Sequence, residues 1–384
     1  MKKKTFKILS LAALAALTIG MASCGGTETE FNDDDMAAIE AQFVDNTVAP
    51  TYTALAQKAE LLASMLATLK ETPTNAGIED ACNVFLQARE QWERSEAFLF
   101  GVAGDYGVDP HIDSWPLDEN QFNTLMGNSA MLQMLDGEDG DVVAGESLGN
   151  ALLGFHGLEY ILFKDGKAKT AAEITDDQWI YVVAVAGDLR NRCYQLEVGW
   201  LGDDAPAAHI QKLDDIEMGY TVAGGDYSYG ENMKNAGKAG STYVSRTAAL
   251  IAIVQGCADI ADEVGSSKIN SAYALGDETY IESPYSHMSI TDFRDNIVSI
   301  QNVYYGGVQG QRDASKSVQN FVKKLDESLD AKVVAAIDNA IAKIEAMPAP
   351  FVTNFKDSRN GEAVEACAEL EEALSEVIDA ISNN

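Results

Sequence analysis

The chain has 384 residues, with 60 acidic and 27 basic side chains and a formal net charge of −33. Such a field repels nucleic acid and anionic membrane surfaces, which excludes nucleic acid as a partner. Roughly 350 residues beyond a leader exceed one comfortable core, so two domains are predicted.

The N-terminus reads as an export signal. Lys2, Lys3 and Lys4 form a basic start, and residues 8–19 form an apolar run too short to span a membrane. Met21-Ala22-Ser23-Cys24 then has the form of a lipoprotein processing site. Residues 1–23 are predicted to be a signal peptide, with Cys24 as the lipidated new N-terminus. That places the chain in the cell envelope, anchored to a membrane through Cys24 (an outer membrane, at its periplasmic or surface face). Cleavage removes Lys2, Lys3, Lys4 and Lys7 and no acid, leaving 23 basic against 60 acidic residues, a net −37. Residues 24–35, with Asp33, Asp34 and Asp35 in a row, read as an acidic tether.

From residue 36 onward the apolar spacing is helical. Leu55, Leu62, Met65 and Leu69 make one stripe, closed by Pro73 and Gly77; Val84, Phe85, Ala88, Trp92 and Leu99 make the next. Leu148, Leu152, His156, Glu159 and Phe163 predict a helix over 145–163. Thr175 with Gln178 fits a capping box ahead of a helix reaching Trp200. The Gly-rich stretch 202–240 reads as a connection or functional loop. Beyond it, Leu250, Val254, Ala258 and Ala261 form a stripe. Ser289 and Asp292 look like a cap for the helix carrying Phe293, Ile297, Ile300 and Tyr304. The longest stripe runs from Val318 to Ile344, and the last from Val364 to Ile381. No alternating strands appear. The predicted fold class is all-α, with an N-terminal helical bundle over 36–202 and a C-terminal one over 203–384. Cys82, Cys193, Cys257 and Cys367 form no CxxC pair and read as buried thiols, with a disulfide as the alternative in an oxidising compartment.

His156 and Glu159 lie on the apolar face of their helix, where ionisable groups are costly unless paired or binding something. Their i, i+3 spacing lets them touch or share a ligand. A buried His-Glu hydrogen bond that orders packing fits the same spacing. Gly154 and Gly157 flank the histidine and suggest a close approach there. Glu96 falls four residues after Trp92, near an apolar face. Asp113 and Trp115, in His111-Ile112-Asp113-Ser114-Trp115-Pro116, sit in a predicted loop, where functional groups concentrate. Ser283-Pro284-Tyr285-Ser286-His287 is a similar loop entering a helix, with capping as the cheaper account of Tyr285 and Ser286. There is no HExxH and no second HxxE or ExxH, which argues against a standard zinc protease and a di-iron bundle. With no strands predicted, no serine sits on a strand-turn-helix elbow, which argues against a serine hydrolase.

Several separated segments together resemble the imelysin family, insulin-cleaving membrane peptidase-like proteins, in its Bacteroides-type lipoprotein form. They are the GxHxxE motif at Gly154, His156 and Glu159; Trp92-Glu93-Arg94-Ser95-Glu96-Ala97-Phe98-Leu99-Phe100-Gly101; Ile112-Asp113-Ser114-Trp115-Pro116; and Ser283-Pro284-Tyr285-Ser286. The resemblance spans the chain from about residue 36 and implies two α-helical domains, each built on a four-helix bundle and related by duplication. It implies a site at their interface around His156 and Glu159 as metal ligands, with Glu96, Asp113, Trp115 and Ser95 as ligand-binding residues. The implied function is binding of a metal or small-molecule ligand in association with iron uptake and its components. The alternative is a metallopeptidase using His156 and Glu159. The cofactor consistent with both is a transition metal, iron or zinc.

Overall fold

The structure, a computed structural model, describes residues 33–383. The signal peptide, Cys24 and the tether up to residue 32 lie outside the described residues. Asp33, Asp34 and Asp35, assigned above to the tether, instead form the first turn of helix α1 (Asp33–Gln42). Their carboxylates there complement the positive end of the helix.

The described residues are all-α, as predicted. Two-residue strands Phe163–Lys164 and Lys167–Ala168 pair as one small antiparallel hairpin. Helix α2 (Ala49–Glu71) buries Leu55, Leu62, Leu66 and Leu69 and stops ahead of Pro73. Helix α3 (Asn75–Glu93) opens on Thr74, whose hydroxyl accepts from the Gly77 N–H at 3.1 Å. A short helix α4 (Val108–Ile112) follows.

The predicted helix over 145–163 is broken. Its pieces are α5 (Gly140–Ser147), a 3-10 turn at Asn150–Leu152, and α6 (Gly154–Leu162). Gly154 causes the break: its φ is +66°, and a Cβ there would fall on the backbone carbonyl of Ile112. The GxHxxE motif therefore begins its own helix, in backbone contact with the chain that carries Asp113.

Helix α7 (Asp176–Leu201) opens with the predicted Thr175–Gln178 capping box and ends at Gly202, where φ is +57°. The Gly-rich stretch is more ordered than a loop. It holds α8 (Ala207–Asp215) and α9 (Tyr229–Lys234), the second with a Ser228–Glu231 capping box. Helix α10 (Arg246–Asp262) runs into a π-helical turn, Glu263–Ile269. Helix α11 (Ser289–Tyr304) lacks the predicted cap. Ser289 Oγ donates to the Glu282 carbonyl at 2.6 Å, and Asp292 is used elsewhere. The stripe over 318–344 is two helices, α12 (Val318–Leu325) and α13 (Glu327–Glu345). Asp326 divides them by accepting from the N–H groups of Ser328 and Leu329. Helix α14 (Ser358–Ser382) closes the chain.

Helix α7 packs on α2, α5 and α6, and α2 packs on α3. Helix α10 packs on α11 and α14, and α13 packs on the same two. The two sets meet where α11 touches α3 and where α10 touches the 3-10 turn Glu96–Phe98. Residues 33–383 belong to one compact unit. Trp92, Trp200, Tyr52, Tyr181 and Phe293 are fully buried within it, and the four described cysteines are buried free thiols.

Candidate functional site

The meeting of α3, α4, α6, α11 and the loop before α11 encloses a cluster of buried ionisable groups. Arg89 stands at its centre, 2% exposed. Its guanidinium pairs with Asp113 and Glu282 and approaches Glu93 at 2.5 Å and Asp292 at 3.7 Å. Lys268, 1% exposed, comes from the π-helical turn. Its Nζ lies 3.3 Å from Glu282, 3.7 Å from Glu96 and 3.9 Å from Glu93. A π-turn widens the helix locally and often marks a functional site.

The predicted residues fall into this cluster unequally. Asp113 Oδ2 accepts from the Trp92 indole at 2.7 Å, and its Oδ1 lies 3.0 Å from His156 Nε2. That second approach is close but off the hydrogen-bond direction, so it is a charge contact and leaves His156 Nε2 without a directed partner. His156 Nδ1 is 3.5 Å from Glu159 Oε2. Glu159 Oε1 accepts from the N–H groups of Tyr285 (3.1 Å) and Ser286 (2.7 Å) and from Ser286 Oγ (2.7 Å). The 283–287 loop thus clasps a carboxylate from within the chain. Trp115 stacks obliquely on His156, with ring centroids 5.9 Å apart, and Lys268 Nζ sits 5.3 Å from the Trp115 ring. Glu96 lies not on α3 but on the 3-10 turn after it. Ser95 Oγ donates to the Trp92 carbonyl at 2.6 Å, closing the end of α3 rather than facing a cavity.

Two cavities open beside Trp115. The larger, about 570 Å³, reaches His156, Leu117, Ile281 and Tyr285. The smaller, about 250 Å³, is lined by Glu96, Asp109, Asp113, Glu263 and Lys268.

Sequence reading missed Arg89, Glu93, Lys268, Glu282 and Asp292. A signal existed for two of them. Arg89 and Glu93 follow Phe85 at steps of four along the buried face of α3, the same test that singled out His156. Asp292 was mistaken for a cap. Nothing in the local pattern marks Lys268 or Glu282, whose roles depend on partners distant in the chain.

Six carboxyl groups, Glu93, Glu96, Asp113, Glu159, Glu282 and Asp292, thus face Arg89, Lys268 and one imidazole. Burial drives the pKa of Glu93 and Glu96 well above the usual carboxylate range, and that of Asp292 up to about 7. For Asp113 burial acts in the same direction, but Arg89 and His156 overcome it and hold the group well below its ordinary value. For His156 burial disfavours the cation, yet Asp113 and Glu159 raise its pKa to about 9. Protons and built-in cations therefore balance much of the charge.

A stability trend follows from these shifts. His156 contributes stability that is complete below its unfolded value of 6.5 and is lost as pH rises through about 9. Asp292 and Asp109, both raised to about 7, have the same sign, their contributions fading as pH climbs from about 4 through 7. Calorimetric unfolding should show a loss on the order of 3 kcal/mol between pH 6.5 and 9, and His156→Gln should flatten that slope. A wild-type midpoint that stays level across this range would contradict the charged imidazole.

Donor atoms of Asp113, His156 and Glu282 lie within 4.8 Å of one another, as do those of Glu93, Glu96 and Asp113. His156 Nε2 and Glu282 Oε2 are buried and lack hydrogen-bond partners. One imidazole and carboxylates with no thiolate suit a metal that accepts nitrogen and oxygen ligands. The residues present fit such an ion, with Arg89 as its competitor for the same oxygens.

The profile of the imelysin family matches residues 48–377. The chain belongs to the imelysin family. Iron-regulated protein A of Synechococcus elongatus is 27% identical to it over 375 residues, 97% of this chain and 90% of that one. A Parabacteroides distasonis structure, assigned as an iron-regulated protein A precursor, superposes with a TM-score of 0.78 at 28% identity. It covers 92% of this chain and 97% of its own. An imelysin-like protein of Psychrobacter arcticum, 14% identical, shares the fold with a TM-score of 0.58, over 92% of this chain and 94% of its own. Helix α6 is the element that presents His156 and Glu159 to the buried cluster.

Proposed function

We propose that this chain is a lipid-anchored imelysin of the cell envelope that binds a metal ion, or a small ligand carrying one, in association with iron uptake. The observation that carries the reading is the convergence of donor atoms from His156, Asp113 and Glu282 within 4.8 Å of one another, with His156 Nε2 and Glu282 Oε2 in charge contacts but without a directed hydrogen bond. The names of its relatives, iron-regulated protein A, favour iron, with zinc as the other candidate. In this reading His156, Asp113 and Glu282 hold the ion, and Trp115 and Tyr285 wall the larger cavity through which it is reached. Glu159 is a positioning residue: its 283–287 clasp fixes one oxygen while the other faces the imidazole. The same clasp disfavours the peptidase reading, because three hydrogen bonds already occupy Glu159 Oε1 and Oε2 faces the imidazole, which leaves neither oxygen placed to hold an attacking water.

Titration of the purified chain with ferrous iron under anaerobic conditions, and separately with zinc, tests this. Because His156 carries a proton up to about pH 9, loading at pH 7 should release about one proton per ion, read from calorimetry in two buffers of different ionisation enthalpy. His156→Ala should abolish stoichiometric uptake while the chain stays helical. A wild-type chain that takes up neither ion would refute the metal reading.

Anchoring has its own test. Cys24→Ala should leave the chain unprocessed or move it out of the membrane fraction. An unchanged membrane fraction would refute lipidation at Cys24.

A further inference from the structure

One cavity among the described residues inverts the composition of the chain. A cavity of about 610 Å³, sharing no lining residue with the two beside Trp115, is bordered by Arg94, Arg294 and Arg312 and by amides including Gln91, Gln301 and Gln309. The whole chain has more than two acids per base, with only eight arginines, yet three of them meet here and a single carboxylate, Glu345, lines the same wall.

Arg94 and Arg294 are held by ion pairs, and Arg312 by neutral groups. Arg94 and Arg294 converge on a single oxygen, Asp295 Oδ1, at 3.2 and 2.8 Å. Asp295 is 1% exposed and sits beneath both; Arg94 also meets Glu90 at 2.6 Å. The hydrogen-bond partners of Arg312 are neutral. Its Nε donates to the Gly307 carbonyl at 3.2 Å, and its Nη2 donates to the side-chain oxygens of Gln301 (3.2 Å) and Asn302 (3.3 Å). The Tyr305 ring lies 5.1 Å from its guanidinium carbon.

The wall is also braced. The loop bearing Arg312 is tied to the π-helical turn Phe43–Val48 and the residue before it. Val308 N–H donates to the Asn46 carbonyl at 2.8 Å, Asn46 Nδ2 to the Gln311 carbonyl at 2.8 Å, and Gln42 Nε2 to the Asp313 carbonyl at 2.8 Å. Guanidinium forks match the paired oxygens of carboxylates and phosphates, and a pre-formed pocket of a few hundred Å³ suits a small molecule.

We propose that this cavity is a second ligand site, for a small polyanion bearing two or more carboxylate or phosphate groups. One acidic group engages the Arg94–Arg294 pair and another engages Arg312, while the amides donate to the oxygens between them. On this reading an anion with a single acidic group binds more weakly than one with two.

The test uses the purified chain at constant ionic strength, with citrate and pyrophosphate as polyanions, and acetate and inorganic phosphate as single-group controls. Calorimetry should show saturable one-to-one binding of citrate or pyrophosphate, and which of the two binds distinguishes the carboxylate source from the phosphate one. Arg312→Gln should weaken that binding about tenfold or more. Gln309→Glu, which sets a second carboxylate on the wall, should weaken it as well and serves if the arginine variant fails to fold. Arg359→Gln, far along the chain and paired with Asp357, should bind as wild type. Failure of both polyanions to bind saturably, acetate binding as tightly as citrate, or a folded Arg312→Gln that binds unchanged would each overturn the proposal. None of these outcomes bears on His156, so the metal reading stands or falls separately.

Discussion

Replacing Arg89 with methionine is expected to destabilise the fold by about 3–5 kcal/mol, because it strips a buried charge cluster of its central partner. Asp113 and Glu282 would lose their direct ion pairs, and Glu93 and Asp292 their nearest guanidinium atoms. Lys268 still reaches Glu282 and Glu93, so the carboxyls left most exposed to the loss are Asp113 and Asp292. Arg89→Lys should recover little, since one ammonium cannot reproduce a fork that spans carboxylates from α3, the Asp113 loop and the chain before α11. The sign with pH is fixed. In the variant these carboxyls gain raised folded-state pKa values, so the penalty should ease as pH falls and they take up protons. Denaturant unfolding of Arg89→Met at pH 5 and pH 8 measures both effects. A loss below about 1 kcal/mol at pH 8 would mean the cluster is far wetter than its burial indicates.

Gly154→Ala should be nearly as damaging for a different reason. At φ +66° an alanine costs about 1–2 kcal/mol in backbone strain alone. Its methyl would also fall on the Ile112 carbonyl, which is backbone and cannot swing aside, adding about 1–3 kcal/mol of overpacking. Gly107 provides the comparison: its φ is +60°, but nothing lies within 4 Å of a Cβ there. Gly107→Ala should therefore show the strain term without the clash. Thermal unfolding of the two variants side by side separates the terms. Because Ile112 precedes Asp113, Gly154→Ala should also spread the contact between Asp113 and His156 and weaken metal uptake in any molecules that still fold. Equal losses for the two variants would show that the close approach to Ile112 yields easily.

The helices were legible because their apolar residues recur at three and four, and because the Thr175–Gln178 box marks a start in side-chain chemistry alone. The breaks were not. Leu148 and Leu152 stay in phase with His156 across the interruption at Gly154, and Leu325 and Leu329 stay in phase across Asp326. Periodicity therefore ran straight through both, although Asp326 followed by Ser328 was a visible cap. In the site, His156, Glu159, Asp113, Trp115 and Glu96 were read and do converge. The counter-charges were not, since a lysine or arginine looks like a surface residue until its distant partners are placed. The Tyr285–Ser286 segment was read as capping itself; its amides hold Glu159 instead, from 126 and 127 residues away.

The same remoteness governs the order in which the molecule can assemble. Arg89 and Glu282 are separated by 193 residues, and Glu93 and Asn296 by 203. No local fluctuation can form these pairs, and the entropy of closing so long a loop must first be met by apolar packing. During synthesis, Arg89, Glu93 and Asp113 emerge long before Glu282, Asp292 and Lys268 exist. The early half of the chain must keep its charges hydrated, with the cleft between α3 and α6 open to water, until the later helices arrive. Desolvation of the cluster is therefore a closing step of folding, and the residues that make the site are also the ones that register whether both halves are in place.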